Sequence, residues 1–243
     1  MDSEAKVDVS ICTPYYDEPL WMLKRNIGSV FSQYTDYNYE QLIVIDNPKV
    51  RLDIVRYLHS LPYRNIKFFI NPRNLGLSGA RNIALQKAEG EYIMLLDTDD
   101  SFAQNKITTQ LDHMKANNLD HSFGGYSEIH GEGEPCQNSI IPPEFHADYL
   151  LRLHNICYCG SNCFKKEIYH KLGGFDEEMK EGAEDLEYWL RIATNGYRSG
   201  CIPEVLYYLG ISDNNMTAKL VNNGGFSRAY EYIKKKHKHL TFK

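Results

Sequence analysis

The chain has 243 residues, 42% hydrophobic and 24% charged, with a formal net charge of -5. That length suits one large α/β domain with a substantial core, and the acidic balance argues against nucleic acid as a partner. Apolar runs break well before the roughly 18 residues a bilayer crossing requires, and the first residues lack a signal-peptide apolar stretch. A soluble, cytoplasmic protein with its six cysteines reduced is therefore expected.

Strand-like and helix-like runs alternate through the first half of the chain: VDVSICT, a helix over 19–33, QLIVID, a helix over 50–60, NIKFFI, a helix over 76–89, EYIMLLD and a helix over 104–117. This alternation predicts a mostly parallel sheet with helices on both faces, binding its ligand at the carboxyl edge of the strands. The stretch 131–144 is rich in Gly, Pro and acids and reads as a mobile loop. Beyond it the pattern predicts a helix over 146–154, a strand over 158–164, a short helix ending at Gly173-Gly174, and an amphipathic helix from Glu184 to Asn195. Leu186, Trp189, Leu190 and Ala193 form the core stripe of that last helix.

Cys157, Cys159 and Cys163 lack the paired spacing of common zinc modules, so buried small hydrophobes on a strand are the preferred reading. From Phe226 to Lys243 there are six Lys or Arg and one acidic residue. Phe226, Ala229, Tyr230 and Ile233 form an apolar stripe beside these lysines. Such a helix either packs by its stripe, the favoured reading, or docks on an anionic membrane.

Three carboxylates in LLDTDD, residues 95–100, follow a buried strand. Carboxylates this crowded suit a divalent ion shared with a diphosphate, although an acidic turn capping the next helix is the simpler alternative. Glu184-Asp185 opens a helix, where acids are also favoured by the helix dipole.

The segments VSICTPYYDEP (9–19), NPRNLGLSGARNIAL (71–85), LLDTDD and LGGFDEEMKEGAEDLEYWLR (172–191), in this order, resemble the family 2 glycosyltransferases, inverting and nucleotide-sugar dependent, over roughly residues 7–217. The resemblance implies a single α/β domain of the GT-A fold, with a nucleotide-binding part over 7–117, an acceptor-binding part over 118–217 and a basic tail over 218–243. It implies that Thr13, Pro14, Tyr16 and Glu18 line the nucleotide pocket, that Asp46 and Asn47 lie near base and ribose, and that Arg81 contacts the nucleotide or its phosphates. Asp97, Thr98 and Asp99 form the D-x-D, with Asp99 as the direct Mn2+ or Mg2+ ligand, Asp97 beside it and Asp100 as adjacent support. Asp185 takes the general-base position with Glu184 next to it, and Gly160, Ser161 and Asn162 fall in the floor of the acceptor site, which the loop 131–144 is a candidate to cover.

The implied reaction moves one sugar from a UDP- or dTDP-sugar to a hydroxyl of a glycan or lipid-linked glycan. The sequence departs from the family pattern at Asn47, where a second aspartate is common, and at Gly210 and Ser212, where Arg and His are common, so no His ligand is supplied there. A non-catalytic carbohydrate-binding protein and a nucleotidyltransferase are the alternatives. The lysines of the tail lie beyond the resemblance and are expected to be dispensable for transfer to a soluble acceptor.

Overall fold

β1 (Val9–Tyr15) is buried along its whole length, and its neighbours explain why. In the computed structural model, which describes residues 6–141, 147–153, 155, 158–212 and 224–242, β1 pairs in parallel with β2 (Tyr39–Ile45) on one side and β4 (Tyr92–Leu95) on the other. β2 pairs in parallel with β3 (Ile66–Ile70). Central parallel strands are covered on both faces and therefore carry apolar residues at successive positions. In β2, Leu42 and Val44 point into one core cluster and Ile43 and Ile45 into another.

The helices between these strands supply the cover. α1 (Leu20–Phe31) and α2 (Leu52–Ser60) close one face through Leu23, Ile27, Ile54 and Leu58. α3 (Gly76–Lys87) closes the other through Ala80, Ala84 and Leu85. The first-half elements thus follow the alternation in the sequence, with ends displaced by a few residues.

The second half of the chain extends the sheet with mixed polarity. After β5 (Ser101–Phe102) and α4 (Lys106–Ala116), β6 (His121–His130) runs parallel to β9 (Ser199–Ile211) and antiparallel to β8 (Cys163–Lys165), which joins β4. Among the described residues the sheet has nine strands, in the order β3-β2-β1-β4-β8-β6-β9-β5, with β7 paired to β6.

Two expectations change here. The stretch read as a mobile loop over 131–144 contains β7 (Pro135–Ile140), antiparallel to β6. The polar sequence of β7 lies at a sheet edge and shows no alternation. The expected strand over 158–164 is a 3-10 turn (Cys159–Ser161) followed by the short β8. The Ser161 hydroxyl and the Asn162 amide both donate to the Tyr158 carbonyl, at 2.8 and 2.6 Å, and such local bonds compete with strand pairing. Cys159 and Cys163 are buried thiols. Cys157 lies outside the described residues.

α5 (Ala147–Leu151), α6 (Lys166–Leu172) and α7 (Glu184–Thr194) pack over the same face as α3, with Trp189 fully buried beside His121 and Phe164. The basic segment forms α8 (Gly225–Lys236), which buries Ala229 and Ile233 in that core. It is also held electrostatically. Lys236 bridges Asp176 at 2.6 Å and Glu187 at 2.8 Å, and the His237 ring lies 2.8 Å from the same Glu187 carboxylate.

Burial of Glu187 on α7 would raise its carboxyl, but Arg191 and Lys236 outweigh this and hold it below the usual range. Deleting residues 234–243 therefore takes partners from a fully buried carboxylate and removes the packed Leu240 and Phe242. Because Arg191 remains, the lower end of the cost of breaking a buried pair applies, about 3 kcal/mol. For a chain of this size that lowers Tm by roughly 6–12 °C. An unchanged melting curve would show that the tail does not support the fold. No described helix is long and apolar enough to cross a membrane.

Candidate active site

The parallel strands β1, β2 and β4 end side by side, and the polar residues that follow them meet there. After β4 the chain turns through Asp97, Thr98, Asp99 and Asp100, with the Asp100 N–H donating to the Asp97 carbonyl at 3.0 Å. The Thr98 hydroxyl donates to the Pro14 carbonyl at 2.6 Å and ties this acidic turn to the end of β1.

Arg81, on the second turn of α3, joins the turn to the far end of the sequence. Its Nη2 lies 2.8 Å from both oxygens of Asp97, and its Nη1 donates to Glu184 at 2.5 Å. The guanidinium is only 2% exposed and lies over the Phe175 ring. Both of its terminal nitrogens are thus engaged by carboxylates, which makes Arg81 a buried bridge between the acidic turn and α7. Burial alone would lower its proton affinity, but Asp97 reverses this and keeps the cation charged.

α7 begins under backbone strain. Gly182 and Ala183 both have positive φ, at 84° and 59°, and a non-glycine residue in the left-handed region is held there only by its surroundings. This entry turns Glu184 inward to Arg81 and places Asp185 beside it. The Asp185 carboxylate accepts from the Asn155 amide and from the Leu186 N–H, each at 2.8 Å. Burial, followed by the neighbouring Glu184, pushes its carboxyl up to about 6, against the pull of Arg81.

The remaining carboxylates differ in freedom. Asp100 is buried, accepts the Gly210 N–H at 2.8 Å and is raised by burial and by Asp99. Asp99 is partly open, and burial, then Asp97 and Glu18, push it up to about 7. Glu18 is raised first by burial, with Asp97 adding to the shift. It accepts the Tyr16 N–H at 2.8 Å, and the Tyr16 side chain is exposed. Glu18, Asp97 and Asp99 therefore share one region of negative potential.

Other residues marked in the sequence hold the frame. Thr13 is buried and bonded to Gln41 at 3.0 Å. Asp46 is buried, accepting from the Asn71 amide at 2.7 Å and from the N–H groups of Leu75 and Gly76 at the start of α3. It orients the helix that carries Arg81. Asn47 accepts the Lys49 N–H at 2.9 Å in the turn after β2.

The residues expected in the acceptor floor lie inside the fold. Ser161 and Asn162 are fully buried: the Ser161 carbonyl accepts from Gln110 and Lys106, and Asn162 Oδ1 faces the His121 ring at 2.7 Å. The Asn162 side chain is bonded within this buried network, and the Ser161 hydroxyl is bonded to the Tyr158 carbonyl. A Cβ on Gly160 would stand 2.8 Å from the Tyr207 ring. The glycine is needed for packing.

The chain matches the family described as Glycosyl transferase family 2 over residues 10–173. It belongs to that family. This family 2 glycosyltransferase is 30% identical over 219 residues to the uncharacterized glycosyltransferase MJ1057 of Methanocaldococcus jannaschii, covering 86% of this chain and 73% of the relative. It is 31% identical over 157 residues to the Escherichia coli UDP-Glc:alpha-D-GlcNAc-diphosphoundecaprenol beta-1,3-glucosyltransferase WfgD, covering 64% and 57%. In fold it is similar to the 1-349 portion of S. aureus TarS in complex with UDP-GlcNAc, with a TM-score of 0.71 at 20% identity, covering 93% of this chain and 65% of that one. This likeness supports the GT-A fold.

Several residues of the glycosyltransferase site escaped sequence reasoning. Arg25 and Asn26 of α1 bond the carbonyls of the acidic turn, and Asn155 bonds Asp185. Asn26 did carry a signal: it lies in the stripe Leu23, Asn26, Ile27, Val30 that α1 buries, and a polar residue inside an apolar stripe must find a partner. Gly210 carried one of another kind. A Cβ there would lie 2.1 Å from the Asp99 carbonyl oxygen, so β9 can run against the acidic turn only with glycine at this position.

Proposed function

We propose that the enzyme transfers one sugar, with inversion at the anomeric carbon, from a UDP- or dTDP-sugar to a hydroxyl of a glycan or lipid-linked glycan. The observation that carries this reading is the Arg81 bridge. It sets the acidic turn after β4 and the Glu184-Asp185 pair against a single buried cation, at 2.8 and 2.5 Å. A group able to hold a diphosphate and a group able to take a proton thus share one site. The UDP-sugar named for WfgD and the UDP-GlcNAc bound by TarS support the choice of donor.

The divalent ion is part of the proposal. Among the described residues no three His, Cys, Asp or Glu side chains form a ready ligand set. Asp99 and Glu18 nonetheless have carboxyls raised by burial and by neighbouring carboxylates, a condition that an added cation relieves. Mg2+ and Mn2+ need only one or two protein carboxylates when phosphate oxygens complete the shell. Asp99 and Asp97 would hold the ion, which would stabilise the charge developing on the leaving diphosphate.

The chain's own groups account for the remaining steps. Asp185 accepts the acceptor hydroxyl proton as that oxygen attacks the anomeric carbon, while the bond to the diphosphate breaks on the opposite face. One base and one displacement give inversion. Arg81 holds Asp97 and Glu184 in place, and the Asn155 amide and the Leu186 N–H fix the two oxygens of Asp185.

A panel of UDP-, dTDP- and GDP-sugars, scored for nucleoside diphosphate release with and without Mn2+, tests this reading. Release from a uridine or thymidine donor that stops with chelator is expected. Turnover of GDP-sugars alone, or undiminished turnover in chelator, would overturn the donor or the metal assignment respectively.

A further inference from the structure

The acidic turn after β4 carries its functional carboxylates on backbone that is itself held from outside. Three of its carbonyls are bonded by two neighbouring residues of α1. Asn26 Nδ2 donates to the Asp97 and Asp100 carbonyls at 2.8 and 3.2 Å, and Arg25 Nη2 donates to the Asp99 carbonyl at 2.5 Å. Asn26 is in turn fixed by Gln41 Nε2, which donates to its Oδ1 at 2.8 Å and to Thr13 at 3.0 Å. Arg25 reaches further. Its Nη1 donates at 2.6 Å to the Gly131 carbonyl in the turn between β6 and β7, and its guanidinium lies 5.1 Å from the Trp21 ring centre.

We infer that Arg25 is a positioning residue for donor binding, clamping the Asp99 backbone to the tip of the β6–β7 hairpin so that the Asp99 carboxylate is presented in one orientation. The inference rests on the donor site proposed above. The guanidinium fork bonds two carbonyls on separate elements from two nitrogens at once. A lysine in its place keeps the positive charge but bonds from a single nitrogen. Asn26 does not substitute, because it bonds the Asp97 and Asp100 carbonyls and leaves that of Asp99 to Arg25. On the far side the Gly210 backbone abuts the Asp99 carbonyl. The peptide between Asp99 and Asp100 is thus gripped between α1 and β9, and removal of Arg25 frees one side of it.

The test compares wild type, R25M, R25K and D99N by calorimetry with UDP in Mn2+, by steady-state kinetics and by thermal melting. R25M is expected to raise the UDP Kd and the donor KM about tenfold, the loss that follows when a hydrogen bond from a charged donor disappears. Acceptor KM should stay within twofold of wild type, because the bond that presents a site carboxylate is the one to the Asp99 carbonyl, whereas Gly131 is held only through its backbone at the start of the β6–β7 turn. R25K is expected to retain the wild-type melting temperature and still bind UDP more weakly, which separates positioning from folding and keeps the test valid if R25M does not fold. UDP affinity in R25K equal to wild type would overturn the inference if D99N binds UDP weakly. Wild-type UDP affinity in D99N would overturn the proposed donor site, and the role of Arg25 with it. Donor and acceptor KM rising together in R25K would mark Arg25 as a structural support of the whole domain and also overturn the inference.

Discussion

Asp185→Asn is expected to lower sugar transfer by about 10²- to 10⁴-fold, the contribution typical of a positioned general base, while leaving UDP affinity within twofold of wild type. The local geometry makes this a clean substitution. Oδ1 continues to accept the Leu186 N–H, and the Asn155 amide, now facing an NH2 group at the Oδ2 position, can turn its own oxygen toward it. What is lost is the site that takes the proton. Wild-type turnover carries a matching signature. Asp185 must be ionised to act, its carboxyl is pushed up to about 6 by burial and by Glu184, and the rate should therefore fall as pH drops through about 6. Turnover in Asp185→Asn within twofold of wild type would remove Asp185 from the base role. Equal loss of UDP binding would make it part of the donor site.

The first half of the fold was readable because each strand from β1 to β4 contains successive apolar residues, despite Ser10, Glu40, Gln41 and Lys67 within them, and a helix-like segment follows each before the next long strand. Burial on both faces of a parallel sheet demands that pattern. The second half was less readable for a physical reason. β7 is an edge strand with polar sequence, and β8 is shortened by the Ser161 and Asn162 side chains bonding back to Tyr158. Neither feature produces a periodic signal.

The site divides in the same way. LLDTDD and Glu184-Asp185 stand out as local clusters of charge, whereas the bonds that hold them are made by residues distant in sequence. Arg81 and Glu184 are 103 positions apart, and Gly210 and Asp100 are 110 apart. Asp46 was visible as an acid at a strand end. That it bonds the start of α3 and so orients Arg81 is a property of three-dimensional packing. Ser161 and Asn162 lie in a glycine-containing polar stretch that the family resemblance places in the acceptor floor, and the buried Lys106, Gln110 and His121 beneath them bond the Ser161 carbonyl and the Asn162 side chain.

Arg81→Met should be the most damaging single change to this network. Met supplies an apolar chain but loses the guanidinium that lies over Phe175, and Asp97 and Glu184 are left facing each other without the cation that neutralises both. Breaking a buried pair from one side costs about 3–5 kcal/mol, because the charge left behind is uncompensated, and here two are left. For this chain length that lowers Tm by roughly 6–20 °C. Glu184→Gln should cost less, since Arg81 retains Asp97 as its counter-charge and the amide oxygen still accepts from Nη1. A double variant carrying both changes should be more stable than the sum of the two single losses predicts, because it removes a carboxylate that Arg81→Met would strand. Arg81→Lys keeps a charge but bonds from one nitrogen and cannot hold Asp97 and Glu184 from two nitrogens as Nη2 and Nη1 do, so it is expected to fold and to bind UDP in Mn2+ more weakly as the acidic turn loses its tie to α7. Its pH profile adds a readout that packing alone would not move. Arg81 favours the ionised form of Asp185, so a more distant cation lets the carboxyl rise further, and the acid limb should shift to higher pH. A wild-type melting temperature in Arg81→Met, together with an unmoved acid limb in Arg81→Lys, would show that the bridge between the acidic turn and α7 does not govern the site.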